Sequence, residues 1–139
     1  MRTAAAILFL LLSACGSDSL APLVATDIEI TAALPGSNMS AGYLSLTNNG
    51  SDSLSVTRVT SPDFEAVQIH ASIIENGISK MRRADPLLIA AGSTMTLQRG
   101  GLHLMLMRPT GKRSTVTLSF YDDDTLLLTV DAAMTPGTN

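Results

Sequence analysis

His70, Met81, His103 and Met105 are the side chains of this sequence whose types and spacing point to chemistry. His70 and His103 are its only histidines. The stretch Gly101–Arg108, GLHLMLMR, alternates: as a strand it turns Leu102, Leu104 and Leu106 to one face and His103, Met105 and Met107 to the other. The leucine face is that of a core strand. The other face carries an imidazole and two thioethers in a row, with His103 and Met105 about 6–7 Å apart along the strand. His70 and Met81 flank the turn Glu75-Asn76-Gly77, so a hairpin closing there holds both within reach of one another. One pair from the hairpin and one from a neighbouring strand can converge on a single ion. Two imidazoles and two thioethers, with no thiolate or carboxylate, form a soft, neutral set. Thioethers select Cu(I) over zinc, calcium or magnesium, and neutral donors do not favour Cu(II). Either histidine alone reads as an ordinary hydrogen-bonded polar residue of a sheet; only the four together point to a site.

The elements that must position these residues are short and β-rich. Such runs cover 27–31, 41–47, 54–59, 65–74, 78–82, 87–89, 94–97, 102–107, 115–121 and 125–130. Between them stand turn signals such as Pro35-Gly36-Ser37-Asn38, Asn49-Gly50 and Asn76-Gly77. Asp122-Asp123-Asp124 reads as a solvated hairpin loop rather than a calcium loop. No window after the N-terminal apolar run has helical periodicity. The pattern predicts an all-β sandwich with Greek-key connections over residues 27–134, its strands alternating between core and water.

The N-terminus is of a different kind. Met1-Arg2-Thr3 is followed by an apolar run, Ala4–Leu12, far shorter than the ~20 residues that span a bilayer. It reads as the apolar segment of a secretory signal. Leu12-Ser13-Ala14-Cys15 resembles a bacterial lipobox, which implies cleavage before Cys15 and a diacylglyceryl chain on its sulfur. Residues 1–14 are then a lipoprotein signal peptide and 15–26 a flexible tether. The expected location is the bacterial cell envelope, with the domain facing the periplasm and held to a membrane by its lipid. Cys15 is the only cysteine among the 139 residues, so lipidation leaves no thiol. That excludes a disulfide, a thiolate nucleophile and a cysteine-based metal site. Outside the cytoplasm a thiol oxidises readily, and methionine is the soft donor that survives. The net charge of −3 and the lack of any basic cluster exclude nucleic acid as a partner; Lys80–Arg83 is a solvated strand end.

The four residues follow the pattern H-x10-M-x21-H-x-M. In this the chain resembles the periplasmic copper chaperones of the PCu(A)C family. Ala41-Gly42-Tyr43-Leu44-Ser45-Leu46-Thr47-Asn48 is similar to the family's A-x-Y-x-x-x-x-N segment. Ile89-Ala90-Ala91-Gly92 is similar to its I-P-A-G turn, and Gly100–Leu106 to its G-G-x-H-L-M-L strand. The resemblance covers about Ile28 to Val130. It implies a cupredoxin-like β-sandwich with His70, Met81, His103 and Met105 as Cu(I) ligands near the surface. It also implies delivery of copper to a cuproprotein such as cytochrome oxidase, often beside a thioredoxin-fold copper chaperone. Ser79 stands where many members have a further methionine, Ala90 and Arg99 replace common prolines, and no Met/His-rich tail follows Val130. These departures bear on a second copper site, not on the first. Met107, one step along the ligand face, reads as packing or a lid; Met39 either closes over the site or packs on its own loop; Met95 reads as core.

An enzyme is not expected. Ser, His and Asp are present, but there is no G-x-S-x-G elbow, and the spacing already uses both histidines. A blue-copper electron carrier needs a thiolate that this chain lacks. The alternative to a chaperone is an envelope β-sandwich lipoprotein that stores copper, confers tolerance to it, or has a structural role without metal.

Overall fold

The computed structural model describes residues 22–112 and 114–137. The proposed signal peptide, Cys15 and the tether as far as residue 21 lie outside the described residues. Every regular element among the described residues is a strand: β1 (Leu23–Thr31), β2 (Met39–Asn48), β3 (Leu54–Val56), β4 (Arg58–Thr60), β5 (Phe64–Glu75), β6 (Ile78–Arg83), β7 (Leu87–Ile89), β8 (Thr94–Leu97), β9 (Leu102–Pro109), β10 (Thr115–Asp122) and β11 (Thr125–Thr135).

Alternation decides which face each strand buries. In β2, Ser40, Gly42, Leu44, Leu46 and Asn48 are buried and the residues between them are not. In β9, Leu104 and Leu106 point inward; in β10, Val116, Leu118 and Phe120 do so. These side chains meet in one core with Leu23, Ile30, Ile69, Ile89 and Leu97. One layer runs β1-β2-β9-β5-β6, with β8 pairing the second half of β2 while β9 pairs the first. The other is β4-β10-β11, joined to β1 by a short parallel pairing of Ile30 with Met134. β3 and β7 form a separate two-stranded ribbon. The all-β sandwich expected from the sequence is the fold observed.

Several strands run one or two residues beyond the expected bounds, and three departures are larger. β1 begins at Leu23, so residues 23–26 belong to the sheet and not to the tether, and Leu23 is fully buried. A bulge between Thr26 and Glu29, with Asp27 in the left-handed region (φ 52°), breaks the alternation that would have revealed the strand's first half. The run 54–59 is two strands. At Thr57 the chain leaves β7 and joins β10, and its N–H donates to the Tyr121 carbonyl (2.9 Å). β11 continues to Thr135, which brings Met134 against the core.

Two positions in β2 fix the frame around the candidate site. Gly42 lies opposite Leu104, and a Cβ there would stand 3.1 Å from Leu104 Cβ and 3.1 Å from Ile30 Cδ1. Its missing side chain lets β2 and β9 share the core without forcing those residues apart. Asn48, fully buried, closes the far end. Its Nδ2 donates to the carbonyls of Asp52 (2.8 Å) and Ile89 (3.0 Å), and its Oδ1 accepts from the Gly50 N–H (2.9 Å). Asn48→Ala leaves these backbone groups unpaired in a buried setting and is expected to remove about 2 kcal/mol of stability. Urea unfolding checks this: an unchanged midpoint would show that water replaces the amide without loss.

Candidate metal centre

The register assembles the four predicted residues on the outer face of the β2-β9-β5-β6 layer, opposite the leucine core. His70 of β5 lies directly across from His103 of β9. Gln68 faces Met105, and Ala66 faces Met107. On the hairpin, Ser72 faces Met81, so Met81 is the diagonal neighbour of His70 on the same face. Ala41 of β2 faces Met105 from the other side. The methionines therefore stand opposite small side chains, Ala41 and Ser72. An open cleft of about 210 Å³ results, lined by Met81, His103, Met105 and Met39, with Ala41 and Ser72 among its other walls.

His103 is the pivot. It is 6% exposed, and its Nδ1 lies 3.0 Å from the Gly101 carbonyl, which can only accept. The ring therefore donates through Nδ1, and in the neutral imidazole Nε2 keeps the lone pair that a metal needs. Gly101 O also accepts the Ser72 N–H (3.1 Å), tying the turn before β9 to β5. His70 is arranged in the opposite sense. Its Nε2 donates to Gln68 Oε1 at 2.9 Å, while its Nδ1 is the one buried side-chain nitrogen or oxygen without a hydrogen-bond partner among the described residues. An unpaired buried ring nitrogen is unfavourable in a folded protein, and a metal bond would satisfy it.

The two rings are 6.1 Å apart between centroids and inclined at 59°. Imidazoles sharing one ion through bonds of about 2 Å have centroids separated by at most about 6 Å, so the observed separation lies at the upper limit for a shared ion. The charge around them is balanced: Arg83, opposite His70, is held by Asp85 through two hydrogen bonds of 2.5 and 3.0 Å. The thioethers carry no charge, and the imidazoles add none when neutral. Among the described residues no group of three or more His, Cys, Asp and Glu side chains could hold a metal, so the hard-ligand alternatives lack donors there.

Burial lowers the pKa of His70 below the ordinary histidine value of 6.5, and His103 and Arg83 push it the same way while Asp85 opposes them. The sign for stability follows. The unfolded chain takes up the proton at a higher pH than the folded one, so His70 contributes stability above ~6.5 that is lost as pH falls towards its folded value. The pKa of Asp85 is itself lowered, chiefly by its hydrogen bond to Arg83, and its contribution is lost only in the more acidic carboxylate range. Metal-free protein is expected to lose stability between pH 7.5 and 5.5, and His70→Gln to lose less. Urea midpoints at the two pH values measure it; equal pH dependence in both proteins would contradict the account.

The family resemblance implies a site near the surface. Met81, 59% exposed on a wholly exposed β6, fits that description. His103, only 6% exposed, does not. His70 does not line the cleft that holds the other three, although it faces His103 across the strands. The side chain whose place in the cleft the sequence left open is Met39, 53% exposed at the start of β2. Met107 is half-buried beside it and outside this cleft, and Met95 packs against the core.

The sequence model of one protein family, described as "Putative lipoprotein LpqE-like", matches residues 23–132, nearly all of this sandwich. The chain belongs to the LpqE-like family. A relative named "Putative lipoprotein Lxx21020", from Leifsonia xyli subsp. xyli, is 34% identical over 110 residues, covering 75% of this chain and 66% of that protein. The chain therefore spans just under two thirds of that relative's length. Among solved structures, the "Copper-bound PCuAC domain from PmoF2" superposes with a TM-score of 0.67 at 20% identity, covering 83% of this chain and 93% of that one. At that identity the likeness shows the fold alone. The solution structure of Cu(I)-DR1885 from Deinococcus radiodurans has a TM-score of 0.63 at 26% identity, covering 90% of this chain and 84% of that one. The LpqE-like sandwich described here is thus a cupredoxin-like fold of the PCuAC kind, as the sequence resemblance implied.

Proposed function

We propose that this LpqE-like protein is a Cu(I) carrier of the cell envelope, with His70, Met81, His103 and Met105 as its ligands. The observation that carries the reading is the convergence of these side chains: two imidazoles face each other across β5 and β9, and two thioethers line the cleft beside them. Each has a feature suited to the task. His103 keeps Nε2 free by donating through Nδ1, His70 has an unpaired ring nitrogen, and the thioethers bring softness without charge. Structural neighbours that carry copper support the same cargo.

The metal is cargo. A neutral, half-open site binds it without burying it beyond reach of an acceptor, so ligand exchange with a partner can proceed by stepwise replacement of thioethers. The acceptor is a cuproprotein such as cytochrome oxidase, reached directly or beside a thioredoxin-fold copper chaperone. Lipidation of Cys15 holds the carrier at a membrane facing the periplasm, a location that the lipoprotein names of the family and its relative support. Two acyl signals or more give stable anchoring. No catalytic role is assigned to the chain.

The test is metal competition. The full chain carrying Cys15→Ser, which removes its only thiol, is loaded anaerobically with Cu(I) or Zn(II) and desalted. One equivalent of Cu(I) should remain and zinc should not. Retained zinc without copper would overturn the carrier reading.

A further inference from the structure

We propose that Met39 is a further thioether donor to the same ion, a rim ligand through which Cu(I) enters and leaves. The inference rests on the carrier reading and extends it to a residue outside the four-residue pattern.

The cleft holding Met81, His103 and Met105 is lined on its β2 side by Met39. The register explains how. Ala41 faces Met105, and Met39, two residues earlier on the same face, faces Met107. Ala41 is too small to separate Met39 from Met105, whose diagonal spacing of about 7–8 Å is within reach of long side chains. The backbone at Met39 is held by hydrogen bonds while its side chain is exposed. Its N–H donates to Ser37 Oγ at 3.2 Å, and the adjoining Asn38 carbonyl accepts the Arg108 N–H at 2.8 Å. The side chain is 53% exposed and also lines a separate open cleft on its far flank, with Gly36, Asn38 and Met107. Met39 also borders a third open cleft, with Leu34 and Tyr43, and an unbranched thioether at such a junction can swing from the ligand cleft to a neighbouring one at little steric cost. Turned inward it adds a sulfur to the ion; turned outward it uncovers the ion for an acceptor. Met107 takes no such part: it lines only the far cleft of these three.

The experiment uses the full chain with Cys15→Ser and methionines labelled with 13C at the methyl. One equivalent of Ag(I), a soft monovalent stand-in that resists oxidation, is added and the methyl spectrum recorded. Met39, Met81 and Met105 should move together, with Met95 and Met134 unmoved. Met39→Leu keeps the shape and removes the sulfur; it should weaken Cu(I) binding about tenfold, the order of effect of a supporting group at a metal site. Met107→Leu should leave it within about twofold. If Met81 and Met105 move while Met39 stays and Met39→Leu binds as the wild type, the rim ligand is wrong and the carrier reading stands. If none of the three moves, the carrier reading itself fails.

Discussion

Met81→Ala is expected to weaken Cu(I) binding by about 100-fold or more, since supporting groups around a ligand already account for 10–100-fold, and to leave stability within about 0.5 kcal/mol of the wild type. The separation of the two effects comes from the position of the residue. Met81 lies on β6, whose six residues are all exposed, and its cross-strand neighbour is only Ser72. Truncation creates no cavity and breaks no hydrogen bond. What it removes is one of the two thioethers that make the set select a soft ion. A Cu(I) competition titration and a urea melt on the same protein check both halves. Undiminished copper affinity would remove Met81 from the site; a large fall in stability would mean that it packs rather than binds.

His103→Ala should behave differently, with loss in both measurements. The ring is buried, donates to the Gly101 carbonyl and covers its part of the sheet, so truncation is expected to remove about 2 kcal/mol of stability as well as most of the copper affinity. The contrast between the two variants is itself diagnostic. A residue that only packs loses stability without a specific effect on metal, and one that only binds does the reverse. Intact copper binding in a destabilised His103→Ala protein would show that the imidazole is structural.

Much of this was legible in the sequence. The alternation of GLHLMLMR separated a leucine face from a His/Met face, and β9 buries Leu104 and Leu106 while turning His103, Met105 and Met107 the other way. The turn at Asn76-Gly77 fixed the hairpin register, which puts Met81 diagonal to His70. Other features depend on three-dimensional neighbours. The start of β1 was hidden because a bulge at Asp27 interrupts the period of two. The strand switch at Thr57 has no turn residue to announce it; a single N–H moves to another sheet. The burial of His103, which stands across from His70, depends on how β5 and β9 pair. Met39 joined the cleft because β2 pairs β9 in a register that places Ala41, rather than a larger residue, beside Met105. Spacing along the chain contains none of these distances.

The pairing of roles also explains why the site tolerates a half-open position. The leucine core lies on the other side of the sheet from the proposed ligands: Leu104 and Leu106 bury their side chains on the opposite face of the same strand. Metal exchange at the proposed site would therefore leave these core contacts in place. Among the described residues, Nδ1 of His70 is the one buried side-chain nitrogen or oxygen without a hydrogen-bond partner, and a metal bond would satisfy it.

X-ray absorption at the copper edge on the one-to-one Cu(I) complex of the Cys15→Ser chain tests the central claim most directly, because it counts the atoms bound to the metal. The account predicts a shell of imidazole nitrogen and thioether sulfur together, with sulfur lost in Met81→Ala and nitrogen lost in His103→Ala. A shell of nitrogen and oxygen alone, or one unchanged by both substitutions, would contradict it.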